Sequence, residues 1–391
     1  MTKGAAMANF ETASQAGAAG SRAHGACDDA RETAAPADAV GEVTDAPVAP
    51  AAADQVREAD ELARLVSEGV GSCTTAAERA ALVPAELREA IERLKAERDA
   101  VILAHYYVAP EVQAVADYVG DSFYLAKLAR TLPNKTIALA GVEFMGESAK
   151  LLNPDKTVLL PEPAADCPMA HMVKRETVDV AREQYGDDLA VVCYVNSTVE
   201  IKSWSDVCVT SSNAVKIVSE LPQGNVLFIP DQNLGRYVAE QVPEKNVILN
   251  PGYCPRHHVI TREQVEAAEL AHPGALVLAH PECKAEVLEE ADYIGSTAGI
   301  ITYAEKSDAS EFIIVTVAGV LFELERRTAG SGKRFYFPAT RPTCVNMDMI
   351  DLRRLVGCLA TGSGEVSIDV TPEAAERAKL TLDRMLEYAA R

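Results

Sequence analysis

Long apolar runs are missing from this chain. Stretches such as IALAGV at 137–142 are among the longest, far below the ~20 residues that a membrane-spanning helix needs, so no membrane partner is expected. Positive charge is also short: 37 Lys and Arg stand against 58 Asp and Glu, a net charge of −21. Nucleic acid and anionic membrane surfaces are therefore poor candidate partners, because neutralising phosphates takes clustered Lys and Arg. Cysteine is sparse, nine residues in 391, too few for a disulfide scaffold, and no basic region followed by an apolar one precedes them as in a secretory signal. A reducing, cytoplasmic setting is expected, with the cysteines as free thiols, core residues or metal ligands. The first 60 residues hold no Leu and no Ile and are dominated by Ala, Gly, Asp, Glu and Pro, as in DAPVAPAAADQ. Such a segment buries too little apolar area to offset its ordering entropy, which predicts a disordered, Ala-rich acidic extension over residues 1–80.

What is present is a body of ordinary globular make-up, 48% apolar and 24% charged. It opens at VPAELREAIERLKAERDA, where Pro84 precedes Leu87, Ile91 and Leu94 at helical spacing. From Val101 to Met347 the chain repeats itself three times. A strand ends in polar residues (VILAHYY, AVVCYVN, LVLAHPE). A second signature follows (ADYVGDS, SDVCVTS, ADYIGST), then an apolar strand running into a helix, then a strand and a loop with one cysteine. His105, Tyr194 and His280 lie 89 and 86 residues apart, as do Ser122, Ser211 and Thr297; Cys167, Cys254 and Cys344 lie 87 and 90 apart. Chance self-similarity would lose register within one loop.

The predicted fold is α/β: three small parallel-sheet units at 84–173, 174–262 and 263–350, then a C-terminal helical segment at 351–391. Near-continuous Val, Ile and Leu in the strands fits sheets buried on both faces. Ligands of such sheets gather at the carboxyl ends of the strands, where the polar signatures fall. Pseudo-threefold packing would turn the three ends toward one central cavity.

A lone cysteine is ordinarily a core thiol, but core thiols do not recur at one register; Cys193, Cys208, Cys283 and Cys358 share none. Three thiolates suit zinc or an iron–sulfur cluster with one position left open, and spacings near ninety are unlike the short pairs of structural zinc sites. His105 and His280 occupy equivalent strand ends, and His257 lies three residues past Cys254. Glu282 is the one carboxylate of its set, beside Tyr107 and Asn196, a candidate acid/base. Ser122, Ser211 and Thr297 each follow a strand and are expected to open a helix, a ready anion site. In the run TSS at 210–212, Ser212 is the expected helix cap and Thr210, with equivalents Asp121 and Ser296, has no assigned role. The ligand these features predict is small, polyanionic and in touch with a metal.

The motifs ILAHYYVAPEVQAVADYVGDS, GVEFMGESAKLLNPDKTVLLPE, YVNS, DQNLGRYVA, CPRH, AHPEC and ADYIGSTAGI, in that order, resemble those of the quinolinate synthase family over about residues 86–390. The resemblance implies a triplicated α/β fold and one [4Fe-4S] cluster held by Cys167, Cys254 and Cys344. It implies a cytoplasmic transferase of NAD biosynthesis that condenses iminoaspartate with dihydroxyacetone phosphate, with L-aspartate oxidase as supplier of the imine. His105, Ser122, Tyr194, Asn196, Ser211, His280 and Thr297 would hold substrate; Tyr107, Glu282 and His257 would be catalytic. The third unit departs from the family pattern: Val317 and Phe322 stand where Glu and His are usual, and Asp348 where Lys is common. Rival readings are an aconitase-like hydro-lyase and a non-catalytic iron–sulfur or zinc sensor.

Overall fold

The computed structural model describes residues 53–73, 75–338 and 341–391. Among the described residues, twelve short strands build three separate four-stranded parallel sheets, so the expected α/β class and threefold repetition of the sheet unit are present. The first holds β1 (Ala100–His105), β2 (Tyr118–Gly120), β3 (Thr136–Ala140) and β4 (Thr157–Leu159). The second holds β5 (Leu189–Tyr194), β6 (Val207–Val209), β7 (Asn225–Ile229) and β8 (Asn246–Leu249). The third holds β9 (Leu276–Ala279), β10 (Tyr293–Ile294), β11 (Glu311–Val315) and β12 (Arg334–Tyr336). Each sheet has the same order, second strand, first, third, fourth, with a helix in every crossover as parallel pairing demands. The first strands of the first two sheets are buried at every residue.

Two polar devices recur in all three units. The Asp of the second signature accepts from the backbone amide of the neighbouring strand: Asp117 from Ile102, Asp206 from Val191 and Asp292 from Val277, at 2.7, 2.7 and 2.9 Å. Its own amide donates back to the same residue's carbonyl, so the edge strand is pinned in register. A lysine at the fourth strand donates to the free carbonyls at the end of the helix before the third strand. Lys156 reaches Ala129 and Leu132, Lys245 reaches Leu221 and Gln223, and Lys333 reaches Ala304, Glu305 and Ser307. Helix carbonyls without intrahelical partners are satisfied this way.

The expectation of disorder through residue 80 fails where it can be compared; residues 1–52 lie outside the described residues. Ala53–Gly69 is a helix whose Ala59, Ala63 and Val66 form a buried stripe, packed on the helices Leu352–Thr361 and Ala85–Arg98. The physical reason is that alanine is the best helix former and its small side chain lets helices approach closely; an apolar stripe needs neither Leu nor Ile. Asp60 pairs with Arg353 at 3.0 Å. Ala76–Ala81 follows with a Thr75/Glu78 capping box, and its Arg79 pairs with the buried Glu111 at 2.8 Å. The C-terminal helix Pro372–Ala390 packs on the second unit through β6 and the helix Val199–Ser203. Among the described residues, no helix is long and apolar enough to cross a membrane.

Candidate active site

The carboxyl ends of the three sheets deliver their side chains to one cavity. The strand-end set (His105, Tyr107, Tyr194, Asn196, His280, Glu282) lines it, as do the helix openings (Ser122, Ser211, Thr297), His257 and the three cysteines (Cys167, Cys254, Cys344). All thirteen residues singled out in the sequence are therefore brought together.

At the ends of β1 and just past β9 the backbone fixes the histidines in one way. His105 Nδ1 accepts from the Tyr107 amide at 3.1 Å, and His280 Nδ1 from the Glu282 amide at 3.3 Å. The ring proton of each neutral imidazole then sits on Nε2, which in His280 donates to Ser211 Oγ at 3.2 Å. Burial keeps both rings neutral, lowering His105 to about 4 and His280 to about 3.

From Glu282 a continuous chain of hydrogen bonds crosses the cavity wall. Glu282 Oε2 meets His257 Nδ1 at 2.7 Å, His257 Nε2 meets Thr316 Oγ1 at 2.9 Å, and Tyr107 OH bridges Thr316 and Thr297 at 2.8 and 2.7 Å. Burial alone would raise the Glu282 carboxyl; the His257 ring against it more than reverses this and holds it low, at about 2. The Tyr194 hydroxyl interacts with the same carboxylate. Burial and the nearby Glu282 charge push both tyrosine hydroxyls up, so Tyr107 keeps its proton. Thr316 is fully buried. Sequence reasoning placed it beside the departures of the third unit and missed its bridging position, which no spacing rule signals. Gly319 is required here: a Cβ on it would lie 2.6 Å from Tyr107 Cα.

The helix openings differ. Ser122 and Thr297 are first residues of helices capped by Asp121 and Ser296, the positions equivalent to Thr210. Ser211 opens no helix. The helix in its unit begins at Ala214, and the expected cap, Ser212, instead bonds the Thr210 hydroxyl at 2.9 Å. Asn213 takes over locally, its Oδ1 accepting from the Thr210 amide at 2.7 Å; an Asx-type bond of this kind competes with direct capping.

The three cysteines are free thiols with one local geometry. Each sulfur faces the backbone amides two and three residues on: Met169 and Ala170 for Cys167, Arg256 and His257 for Cys254, Asn346 and Met347 for Cys344. Such amides favour a thiolate, while burial raises all three thiols, Cys167 to about 12. Three soft donors that stay protonated until a cation arrives, each with amides ready for the anion, fit a thiolate-bound metal group. Behind them the fully buried Asp231 caps the helix Gln232–Gln241 and accepts from the Cys254 amide at 3.1 Å. Cys254, His257 and Glu282 also place donor atoms within 4.8 Å of one another.

Of the three departures, Val317 is buried and lines the cavity, and Phe322 is half-buried on the helix Leu321–Arg327. Asp348 stands at the end of the short helix after Cys344, where burial raises its carboxyl against the pull of Arg79 and Arg256.

A model of the family described as quinolinate synthetase A protein matches residues 89–387. The quinolinate synthase of Fusobacterium nucleatum is 51% identical over 303 residues, 78% of this chain and 99% of that protein. That of Caldicellulosiruptor bescii is 48% identical over 301 residues, 77% and 98%. That of Methanoregula boonei is 45% identical over 300 residues, 77% and 97%. With the match running through all three sheets and every cavity residue, the chain belongs to the quinolinate synthetase A family.

Proposed function

We propose that this chain condenses iminoaspartate with dihydroxyacetone phosphate to quinolinate, releasing one phosphate and two waters, in the cytoplasmic synthesis of NAD. The observation that carries the reading is convergence: residues chosen only by repeat register line one cavity in a chain of this family. Cys167, Cys254 and Cys344 would hold a [4Fe-4S] cluster, which supplies an open Lewis-acidic iron when bound. A partner that oxidises L-aspartate, the L-aspartate oxidase, would provide the imine.

The protein's own part is binding and proton handling. The Nε2–H groups of His105 and His280, the hydroxyls of Ser122, Ser211, Thr297 and Tyr194, and the Asn196 amide are donors for substrate carboxylates. They are neutral, so they bind carboxylates through hydrogen bonds alone. Tyr107, protonated, is a general acid at its OH; Glu282, ionised, is a base. Through His257 and Thr316 a proton that Glu282 takes up as base can be passed to Tyr107 OH after Tyr107 has given up its own, because every link lies within hydrogen-bond reach.

Anaerobic isolation followed by metal and sulfide analysis tests the cofactor. About four irons and four sulfides per chain are expected for a cubane cluster, and Cys167→Ser, Cys254→Ser or Cys344→Ser should each abolish them, whereas Cys193→Ser and Cys358→Ser should not. One zinc per chain, held at Cys254, His257 and Glu282, would overturn it. Cluster-loaded protein that yields no quinolinate from the two substrates would sink the reaction assigned.

A further inference from the structure

We propose that Arg256 anchors the phosphate group of the triose substrate, forming a cationic subsite in the cavity wall that the carboxylate-binding donors do not supply. This rests on the reading that the cavity joins iminoaspartate to dihydroxyacetone phosphate.

Among the described residues lining the cavity, Arg256 is the sole Lys or Arg. The other charged side chains there are Asp121 and Glu282, and both are already committed: Asp121 caps a helix and Glu282 is bonded to His257. Arg256 has no such commitment. Among the described residues no hydrogen bond or ion pair holds its guanidinium, although the Asp348 and Cys344 side chains feel its charge. It is half-buried, open to cavity and solvent at once.

The fold of its loop does not explain it. Arg256 stands two residues past Cys254, and the same position after the other two cysteines holds Met169, a fully buried core residue, and Asn346, which lines the cavity. What the three loops share at this register is the backbone amide facing the sulfur, which any residue but proline provides. The guanidinium is therefore an addition at a place where the loop accepts an apolar or a neutral side chain.

Charge decides what it is for. A phosphate monoester is close to a dianion at neutral pH, with three acceptor oxygens. In a protein of net charge −21, a buried site made of hydroxyls and neutral imidazoles leaves that dianion uncompensated. A guanidinium fork matches phosphate geometry and adds the missing charge. Its partial exposure suits a group that must depart as a free anion, whereas the carboxylates, kept in the product, face the buried donors.

Steady-state kinetics of cluster-loaded wild type, Arg256→Gln and Arg256→Lys, with rates scaled to iron content, tests this. In Arg256→Gln, KM for dihydroxyacetone phosphate should rise roughly ten- to hundredfold, as expected for loss of a charged hydrogen-bond partner, with KM for iminoaspartate unchanged. Inorganic phosphate should inhibit wild type competitively with the triose, and its inhibition constant should rise by a similar factor in Arg256→Gln and less in Arg256→Lys. Unchanged constants for triose and phosphate, or a rise confined to iminoaspartate, would overturn the subsite while leaving the reaction intact. Wild type that makes no quinolinate would instead remove the reading on which the subsite rests.

Discussion

The second unit solves the same geometric problem as the first and third with different chemistry. Where the outer two end their first strand in a histidine whose Nδ1 accepts the amide two residues on, the second ends in Tyr194, whose hydroxyl interacts with the Glu282 carboxylate. Where the outer two open a helix at once behind Asp121 or Ser296, the second inserts a turn closed by Thr210, Ser212 and Asn213. The backbone devices do not change: the pinning Asp and the carbonyl-binding Lys stand in all three units. A repeat thus keeps what holds the sheet and exchanges what meets the ligand, so charge at the cavity is a property of single units.

The contrast is sharpest at the residues two past His105, Tyr194 and His280, namely Tyr107, Asn196 and Glu282. Only Glu282 carries a charge, and it orients His257. Glu282→Gln should lower kcat/KM by roughly 10²–10⁴, the range for a positioned acid/base group, whereas Asn196→Ala should lose about tenfold, one neutral hydrogen bond. Initial rates at matched iron content compare them; equal losses would erase the distinction between units.

A smaller effect is expected one link along. Thr316→Val keeps the shape of a fully buried side chain but removes the oxygen joining Tyr107 to His257. Tyr107 retains Thr297, so kcat should fall by roughly ten- to hundredfold rather than vanish, and Thr316→Ser should restore most of it. A full loss in both variants would mean that packing, not the hydroxyl, matters there.

Much of this was legible in the sequence because the period near ninety residues aligned side chains that share a cavity, including cysteines with no neighbouring partner. Register is insensitive to local propensity, so it located the site without knowing the fold of any one loop. It failed where the units differ. Ser212 looked like a cap because hydroxyls before an apolar run usually are, but Asn213 took the nearby amide first. The helix Ala53–Gly69 was unreadable from residue types alone, since its buried stripe is mostly alanine and its partner, Leu352–Thr361, lies almost three hundred residues away. The pinning aspartates and the capping lysines were inside the repeat signatures or next to them, yet a carboxylate pairing with an amide fifteen residues back leaves no local pattern.

The smallest predicted difference separates caps from bystanders. Ser296 Oγ accepts from the Gly299 amide at 3.1 Å, so Ser296→Ala strands a donor at a helix start and should cost about 1 kcal/mol, lowering the midpoint of thermal unfolding by roughly 2–4 °C. Asp121→Ala removes the equivalent bond to the Tyr124 amide at 2.9 Å, but it also removes a carboxyl that its surroundings already disfavour as an anion, so its loss should be the smaller of the two. Ser212 is exposed and bonds only the Thr210 hydroxyl; Ser212→Ala should stay within about 0.5 kcal/mol, as for a surface change. If Ser212→Ala proved as costly as Ser296→Ala, the turn in the second unit would be acting as a cap after all, and the three openings would be one device rather than two.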